Sequence, residues 1–365
     1  MQRAADSKHL GIDTSTSPNR ARRWISLIVG TAVTVFFVWL IVRRLSLDEL
    51  ARSFVALHFR LLPLALAGLA VGYAARITRW WVMLRGGAPA LAWLHTGRIF
   101  LLGTAVNNVL PLRAGDVFRM FAFRNQPGLE PSRIGGTLIA ERLLDLVALL
   151  AIFVIVLPFV PAGHSMGPLT TIASWAAALA LLALIGVIAL PSFERQVLGR
   201  LTGTPWIRSS PLLVESLAAA SALVNAITQL GTPRRFAAIV FLSAVAWVFE
   251  GSVFFIAAIA SGVPGRPLAA FFALAAATLA TLFPSSPGYI GTFDFFAMQA
   301  LIVFGASAGT AALFAITAHL LLWLPTTLAG FACFIWLVLR GGDRETRFRT
   351  TNNDPGRKDS RIANV

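Results

Sequence analysis

Residues 146–193 contain no Asp, Glu, Lys or Arg, and that run restricts the fold more than any other feature of the chain. About 20 apolar residues let a helix cross the roughly 30 Å of bilayer hydrocarbon, so the run is long enough for two crossings. The cluster Pro158, Pro161, Gly163, Gly167 and Pro168 marks the turn between them. Further apolar runs bring hydrophobic residues to 57% of the chain against 13% charged, more apolar side chain than a soluble core of 365 residues holds. The fold class is therefore all-α: a polytopic integral membrane bundle of about 6–8 transmembrane helices.

The net charge of +15 then reads as topology, and no nucleic-acid partner is expected. Trp24–Val42 is a first span without a formal charge, too long for a signal peptide and followed by Arg43 and Arg44 rather than by a cleavage site. Before it, Arg3, Lys8, Arg20, Arg22 and Arg23 against Asp6 and Asp13 leave the N-terminal tail at +3. Residues 340–365 carry seven arginines and lysines against four carboxylates, also +3. Both ends are expected in the cytoplasm, which requires an even number of crossings. The tails, 1–23 and 341–365, are polar and expected to be disordered.

The spacing predicts a second span near Leu61–Leu84 that delivers Arg76, Arg79, Arg85 and Arg98 to the cytoplasmic side. Ile99–Leu112 is apolar but short, holds Gly103, Asn107, Asn108 and Pro111, and has basic flanks on both sides, the pattern of a re-entrant segment. Residues 191–235 form a polar connector with an interfacial helix at 212–230. They divide the transmembrane region 24–340 into halves of about 24–190 and 236–340. In the second half, spans begin near Phe236, Leu268 and Thr310, and Phe283–Gly291 breaks a helix in two.

Each half thus holds one interrupted helix, and such breaks expose backbone groups at membrane depth where transport sites form. Pro111 to Gly115 followed by Asp116 parallels Pro287 to Gly291 followed by Asp294, the mark either of an inverted repeat or of two unrelated kinks, since Gly and Pro are common in membrane helices. Around the first break lie Asn107, Asn108, Arg113, Asp116 and Arg119, and further on Glu141, Arg142 and Asp145. One charge at a helix centre costs about 2.5–3.5 kcal/mol and the last three on the order of 8–10, while the twelve Leu, Ile, Val and Phe residues from 143 to 157 return about 4–7. The triad therefore faces a polar interior or sits near the cytoplasmic end.

Arg113, Arg119 and Arg142 are candidates for a guanidinium cluster that holds a lipid phosphate. The alternative is a set of interhelical ion pairs, with the arginines enforcing topology. Asn107 and Asn108 line the re-entrant tip or satisfy freed backbone groups. In the second half, Ser285, Ser286, Gly288 and Gly291 allow a ligand close to the backbone. Asp294 is the only formal charge between Pro267 and Leu339. It is expected to pair with Arg113 or Arg142, or else to cap local backbone. Glu250 and His319 read as structural and packing residues. No metal-ligand cluster, nucleotide-binding loop or Ser/His/acid arrangement occurs, so no cofactor is expected.

Three blocks carry a family resemblance: Asn107-Asn-Val-Leu-Pro-Leu-Arg-Ala-Gly-Asp116 with Arg119, then Glu141-Arg-Leu-Leu-Asp145, then Pro284-Ser-Ser-Pro-Gly-Tyr-Ile-Gly-Thr-Phe-Asp294. Together they resemble the lysylphosphatidylglycerol synthase transmembrane region family over roughly residues 25–340. The resemblance implies a bacterial or archaeal cytoplasmic-membrane protein with re-entrant helices. In the multiple peptide resistance factors, this region moves aminoacylated phospholipid between leaflets. The family's acidic positions in the first and last blocks are commonly glutamate, where this chain has Asp116 and Asp294. No soluble stretch here is long enough for the aminoacyltransferase domain of lysyl-lipid synthases, so synthase activity is not expected.

The resulting expectation is a flippase-like protein for a phospholipid or a polyprenyl-linked or glycolipid headgroup. The rival is a membrane-embedded transferase, or an accessory subunit, acting on a lipid-linked substrate. Candidate protein partners are a separate lipid-modifying enzyme and a second copy of the chain.

Overall fold

Proline sets where the principal helices begin. The computed structural model describes residues 18–43, 47–110, 113–123, 126–161, 232–263, 265–282 and 286–352, with Ala178 and Leu182 as isolated positions. Its helices are α1 (Pro18–Val42), α2 (Leu47–Val55), α3 (Leu62–Leu84), α4 (Trp93–Val109), α5 (Ala114–Phe121), α6 (Pro131–Val156), α7 (Pro233–Ala260), α8 (Pro267–Ala280), α9 (Thr292–Val303) and α10 (Ala308–Asn352). In α3, α6, α7 and α8 a proline lies in the first turn. There its fixed φ suits the helix, and the N–H it lacks would have had no helical partner. No strand occurs among the described residues.

Four stretches are long and apolar enough to cross a bilayer: Phe59–Leu84, Pro131–Phe159, Pro233–Ala260 and Ala308–Leu339. Each has 26 to 32 residues, more than the roughly 30 Å of hydrocarbon requires at about 1.5 Å per residue. Gly30–Val42 and Pro267–Ala280 are apolar but shorter. Leu64, Val71, Phe241, Val248, Phe331 and Ile335 stand exposed on the outer faces, an arrangement that suits lipid and not water. The chain is an all-α, multi-pass membrane protein.

The spans expected near Phe236 and Thr310 are α7 and α10, while the helix near Leu268, α8, has only 14 residues and is shorter than a full span. α1 begins at Pro18, ahead of the expected Trp24, and α10 keeps helical backbone to Asn352, past the boundary expected at residue 340. The second arm of the 146–193 hairpin, apart from Ala178 and Leu182, and the interfacial helix expected at 212–230 lie outside the described residues.

The two halves repeat one plan. Arg113 and Gly291 are the N-caps of α5 and α9, and both have positive φ, 53° and 83°. Asp116 and Asp294 stand at the third helical position of the same two helices. These pairs, and also Glu141 and His319, are each 178 positions apart. The register therefore differs from the proline-to-glycine match read in the sequence, which set Gly115 against Gly291. Backbone conformation at the helix start, rather than residue type, defines the equivalence.

Packing follows the same correspondence. α5 lies on α4 as α9 lies on α8, α5 on α6 as α9 on α10, and α4 on α10 as α8 on α6. The equivalent helices α3 and α7 pack on each other at the centre. Gly68 faces Ser252, Gly72 faces Ala246, and Arg79 reaches Ser243, so the pair runs antiparallel and close, as small residues permit. Equivalent central helices of opposite direction make this an inverted repeat. One apolar core, with Trp80, Phe100, Phe123 and Ile134, serves the first half; another, with Phe254, Leu274, Met298 and Phe314, serves the second.

Candidate functional site

Between α4 and α5 the chain doubles back. Leu110 is extended and Arg113 is left-handed, after which α5 returns along α4 so closely that a methyl group on Gly115 would overlap the Gly103 carbonyl. This is the geometry expected of a re-entrant segment. Asn107 stitches it together: its Oδ1 accepts from the Gly115 N–H at 2.8 Å, and its Nδ2 donates to Asp116 Oδ1 at 3.0 Å. Asn107 thus satisfies a helix-start N–H that has no partner within α5.

On α6, the three charged residues diverge as their spacing requires. Glu141 takes two hydrogen bonds from Arg119, at 3.2 and 2.8 Å. Asp145 takes two from Arg79, at 2.7 and 3.2 Å. Arg142 donates from Nη2 to both oxygens of Asp116, at 3.0 and 2.9 Å, and its side chain remains 41% exposed. The triad faces the protein interior, the outcome that the insertion cost demanded. Arg119, buried against the Trp80 and Phe100 rings, gives both terminal nitrogens to Glu141, while its Nε has no hydrogen-bond partner among the described residues. Of the three arginines read as a cluster, Arg113 and Arg142 keep terminal nitrogens that bond no carboxylate among the described residues.

At the second break, Gly291 has a φ that only glycine adopts readily, and Asp294 Oδ2 accepts its N–H at 2.9 Å. The other oxygen, Oδ1, lies 2.8 Å from His319 Nδ1, while His319 Nε2 lies 2.8 Å from the Gly288 carbonyl. Asp294 therefore pairs with His319 of α10 and caps local backbone, and does not reach Arg113 or Arg142. Ser286 donates its N–H to Thr34 of α1 at 3.2 Å. Ser285 lies outside the described residues. Asn108, at the tip of α4, donates to Thr326 and Thr327 at 3.1 and 2.9 Å, and its carbonyl accepts from Trp323 at 3.3 Å. Gly288 lies beside that carbonyl, so the two breaks meet.

A cavity of about 390 Å³ opens where they meet. Asn107, Asn108, Arg113, Arg119, Glu141, Arg142, Asp145 and Gly288 line it. Asp116 and Asp294 stand behind the wall, holding Arg142 and His319, and Ser286 and Gly291 are turned to α1.

The family description "Lysylphosphatidylglycerol synthase TM region" matches residues 27–330. The chain belongs to this family. Among curated proteins, none matches the chain.

In this lysylphosphatidylglycerol synthase transmembrane-region protein, several cavity residues escape a reading of the sequence alone. Arg76 and Arg79 were expected among the cytoplasmic flanks. Instead Arg79 is fully buried, and Arg76 pairs with Glu250, lies 3.7 Å from Asp145 and covers the Trp247 ring. A partial signal was present: both arginines stand within α3, three apart on one face, and Glu250 has no cation on its own helix one turn away. His319, expected as a packing residue, lines the cavity. Five arginines (Arg76, Arg79, Arg113, Arg119 and Arg142) meet four carboxylates (Asp116, Glu141, Asp145 and Glu250). Arg113 is the one without an ion pair among the described residues. No group of three or more metal-ligating side chains occurs among the described residues.

Proposed function

We propose that this protein moves a phospholipid or lipid-linked headgroup between the leaflets of a bacterial or archaeal cytoplasmic membrane, with both chain ends in the cytoplasm. The observation that carries the reading is Arg113. A non-glycine residue in the left-handed region costs on the order of 1–3 kcal/mol, yet an arginine stands there, unpaired, at the mouth of the α4–α5 turn and on the cavity wall. Beside it Arg142 uses only Nη2 for Asp116, which leaves donors for a phosphate. The cavity of about 390 Å³ falls within the roughly 300–1,000 Å³ usual for small-molecule sites, enough for a headgroup while the acyl chains stay in lipid. Trp247, Tyr289 and Trp323 supply apolar wall around it. Two discontinuous helices of an inverted repeat meeting at one site are the arrangement that alternating access uses.

Asn107, Asp116, Glu141 and Asp145 hold the arginines and the re-entrant turn. Asn108, Ser286, Gly288, Gly291 and Asp294 shape the second turn. The test is translocation of fluorescent phosphatidylglycerol in proteoliposomes. Wild-type protein is expected to move it between leaflets, and Arg113→Ala and Arg142→Ala to slow it at least tenfold. Wild-type rates in both variants would reject the phosphate site. Disappearance of a lipid species, in place of its redistribution, would identify a transferase.

A further inference from the structure

The contacts of His319 fix its proton count. A carbonyl oxygen only accepts hydrogen bonds, so the 2.8 Å contact between Nε2 and the Gly288 carbonyl requires a proton on Nε2. The 2.8 Å contact between Nδ1 and Asp294 Oδ1 requires a second proton, on the ring or on the carboxyl. A neutral ring beside a free carboxylate has one proton too few, because a nitrogen lone pair would face an oxygen.

The first half solves the same problem with a permanent cation. Its equivalent of His319 is Glu141, held by Arg119, and a guanidinium does not release its proton. The position 178 residues after Arg119 is Ala297, which offers no charge. One half is locked by arginine and the other by a proton.

We propose that the Asp294–His319 pair is a proton-binding site that couples proton uptake to binding and movement of an anionic phospholipid headgroup. This rests on the translocation reading above. His319 shares a cavity wall with Arg113 and Arg142, so loss of the proton makes that cavity more negative by one charge and opposes an anionic headgroup. By linkage, the headgroup favours the proton equally, and the two travel together. The protonated pair also ties α10 to both sides of the break, through the Gly288 carbonyl and Asp294. When the proton leaves for cavity water, the neutral ring keeps a single N–H, one tie is lost, and the turn is released from α10.

Apart from Arg113 on the same cavity wall, the neighbouring charges are otherwise occupied. α8 and the described side chains of α1 bring none. Across the cavity, Glu250 is held by Arg76 and Arg142 by Asp116, with Tyr73 and Tyr289 on the wall. Arg98 of α4 covers Trp336, and Glu49 of α2 lies beside Gly309, each at another level of α10. His95 packs on Phe123.

The experiment uses proteoliposomes carrying fluorescent phosphatidylglycerol, with the membrane potential clamped and a one-unit pH gradient. Lipid is expected to accumulate in the alkaline-side leaflet by up to about tenfold at one proton per lipid, and His319→Gln and Asp294→Asn are expected to abolish the bias. Ring-nitrogen NMR of histidine-labelled protein, with His319 assigned by its loss in His319→Gln, gives an independent readout. His319 should be more protonated at a given pH in phosphatidylglycerol than in phosphatidylcholine nanodiscs. Translocation without gradient bias overturns the coupling and leaves the translocator reading intact, as does a His319 signal indifferent to headgroup. No movement at any pH overturns the translocator reading and the coupling with it.

Discussion

Arg119 and Glu141 join α5 to α6 through two parallel hydrogen bonds, Nη1 to Oε1 at 3.2 Å and Nη2 to Oε2 at 2.8 Å, with the guanidinium carbon 4.0 Å from the Trp80 ring centre. α5 has only 8 residues, too few to be helical on its own, so this pair and the Asn107 contacts hold it in place. Arg119→Ala leaves a buried carboxylate without a cation and is expected to cost about 3–5 kcal/mol, read as a lower midpoint in thermal unfolding of the detergent-solubilised protein. An Arg119→Met/Glu141→Leu double variant, which removes both charges, is expected to recover most of that loss. Equal instability in the double variant would mean that the pair holds something besides itself.

Arg113 presents the opposite balance of stability and use. Glycine takes φ near 53° without steric cost, so Arg113→Gly is expected to fold with stability equal to wild type or up to about 1 kcal/mol higher. The same variant is expected to move fluorescent phosphatidylglycerol at least tenfold more slowly. A variant both less stable and fully active would show that the arginine serves the turn, not a ligand.

How far the sequence could be read depended on whether an element announced itself locally. α3, α6, α7 and α10 did so, because long apolar runs bounded by proline and charge have one use. The α4–α5 turn also did, since Asn107, Pro111 and Gly115 interrupt an apolar run too short to cross. Asp294 was legible as a carboxylate in need of a partner, but its partner stands 25 residues later on a helix that gave no local sign of it. Arg76 and Arg79 were misread for a different reason. Arg76 and Arg79 stand within α3 but near its last turns, and only the acids that α6 and α7 bring beside them separate a buried arginine from a flanking one. The shared register of the two halves was hidden as well, because Arg113 stands where the second half has Gly291, and conformation rather than residue type is what repeats.

Gly115 tests the hairpin directly. Its added methyl group would overlap the Gly103 carbonyl and crowd Asn107 Oδ1, and α4 and α5 cannot part without breaking the Asn107 and Asp116 contacts. Gly115→Ala is therefore expected to lower the unfolding midpoint and to abolish translocation. At Gly97 the same change meets only Ile77, at 3.4 Å, and removes the entropic cost of a helical glycine, worth up to about 1 kcal/mol. Gly97→Ala is expected to leave stability unchanged or raised, and comparable losses from both variants would contradict the close α4–α5 approach.

Arg76, Arg79, Asp145 and Glu250 tie three helices, α3, α6 and α7, into one network, and the two arginines do not contribute alike. Arg79 is fully buried and divides its donors between Asp145 and Ser243. Arg76 is 13% exposed, holds Glu250, approaches Asp145 at 3.7 Å and is backed by the Trp247 ring. If Arg79 is lost, Arg76 already stands near Asp145 and offsets part of the charge, but it cannot leave Glu250 without exposing a second carboxylate. Replacement of either arginine by methionine is thus expected to propagate to the other pair. In a double-mutant cycle, Arg76→Met with Arg79→Met should show non-additivity of about 0.5–3 kcal/mol, with the double variant differing from the summed single effects. Strict additivity would mean that Arg76–Glu250 and Arg79–Asp145 are independent pairs and that α3 is not shared between the halves through charge.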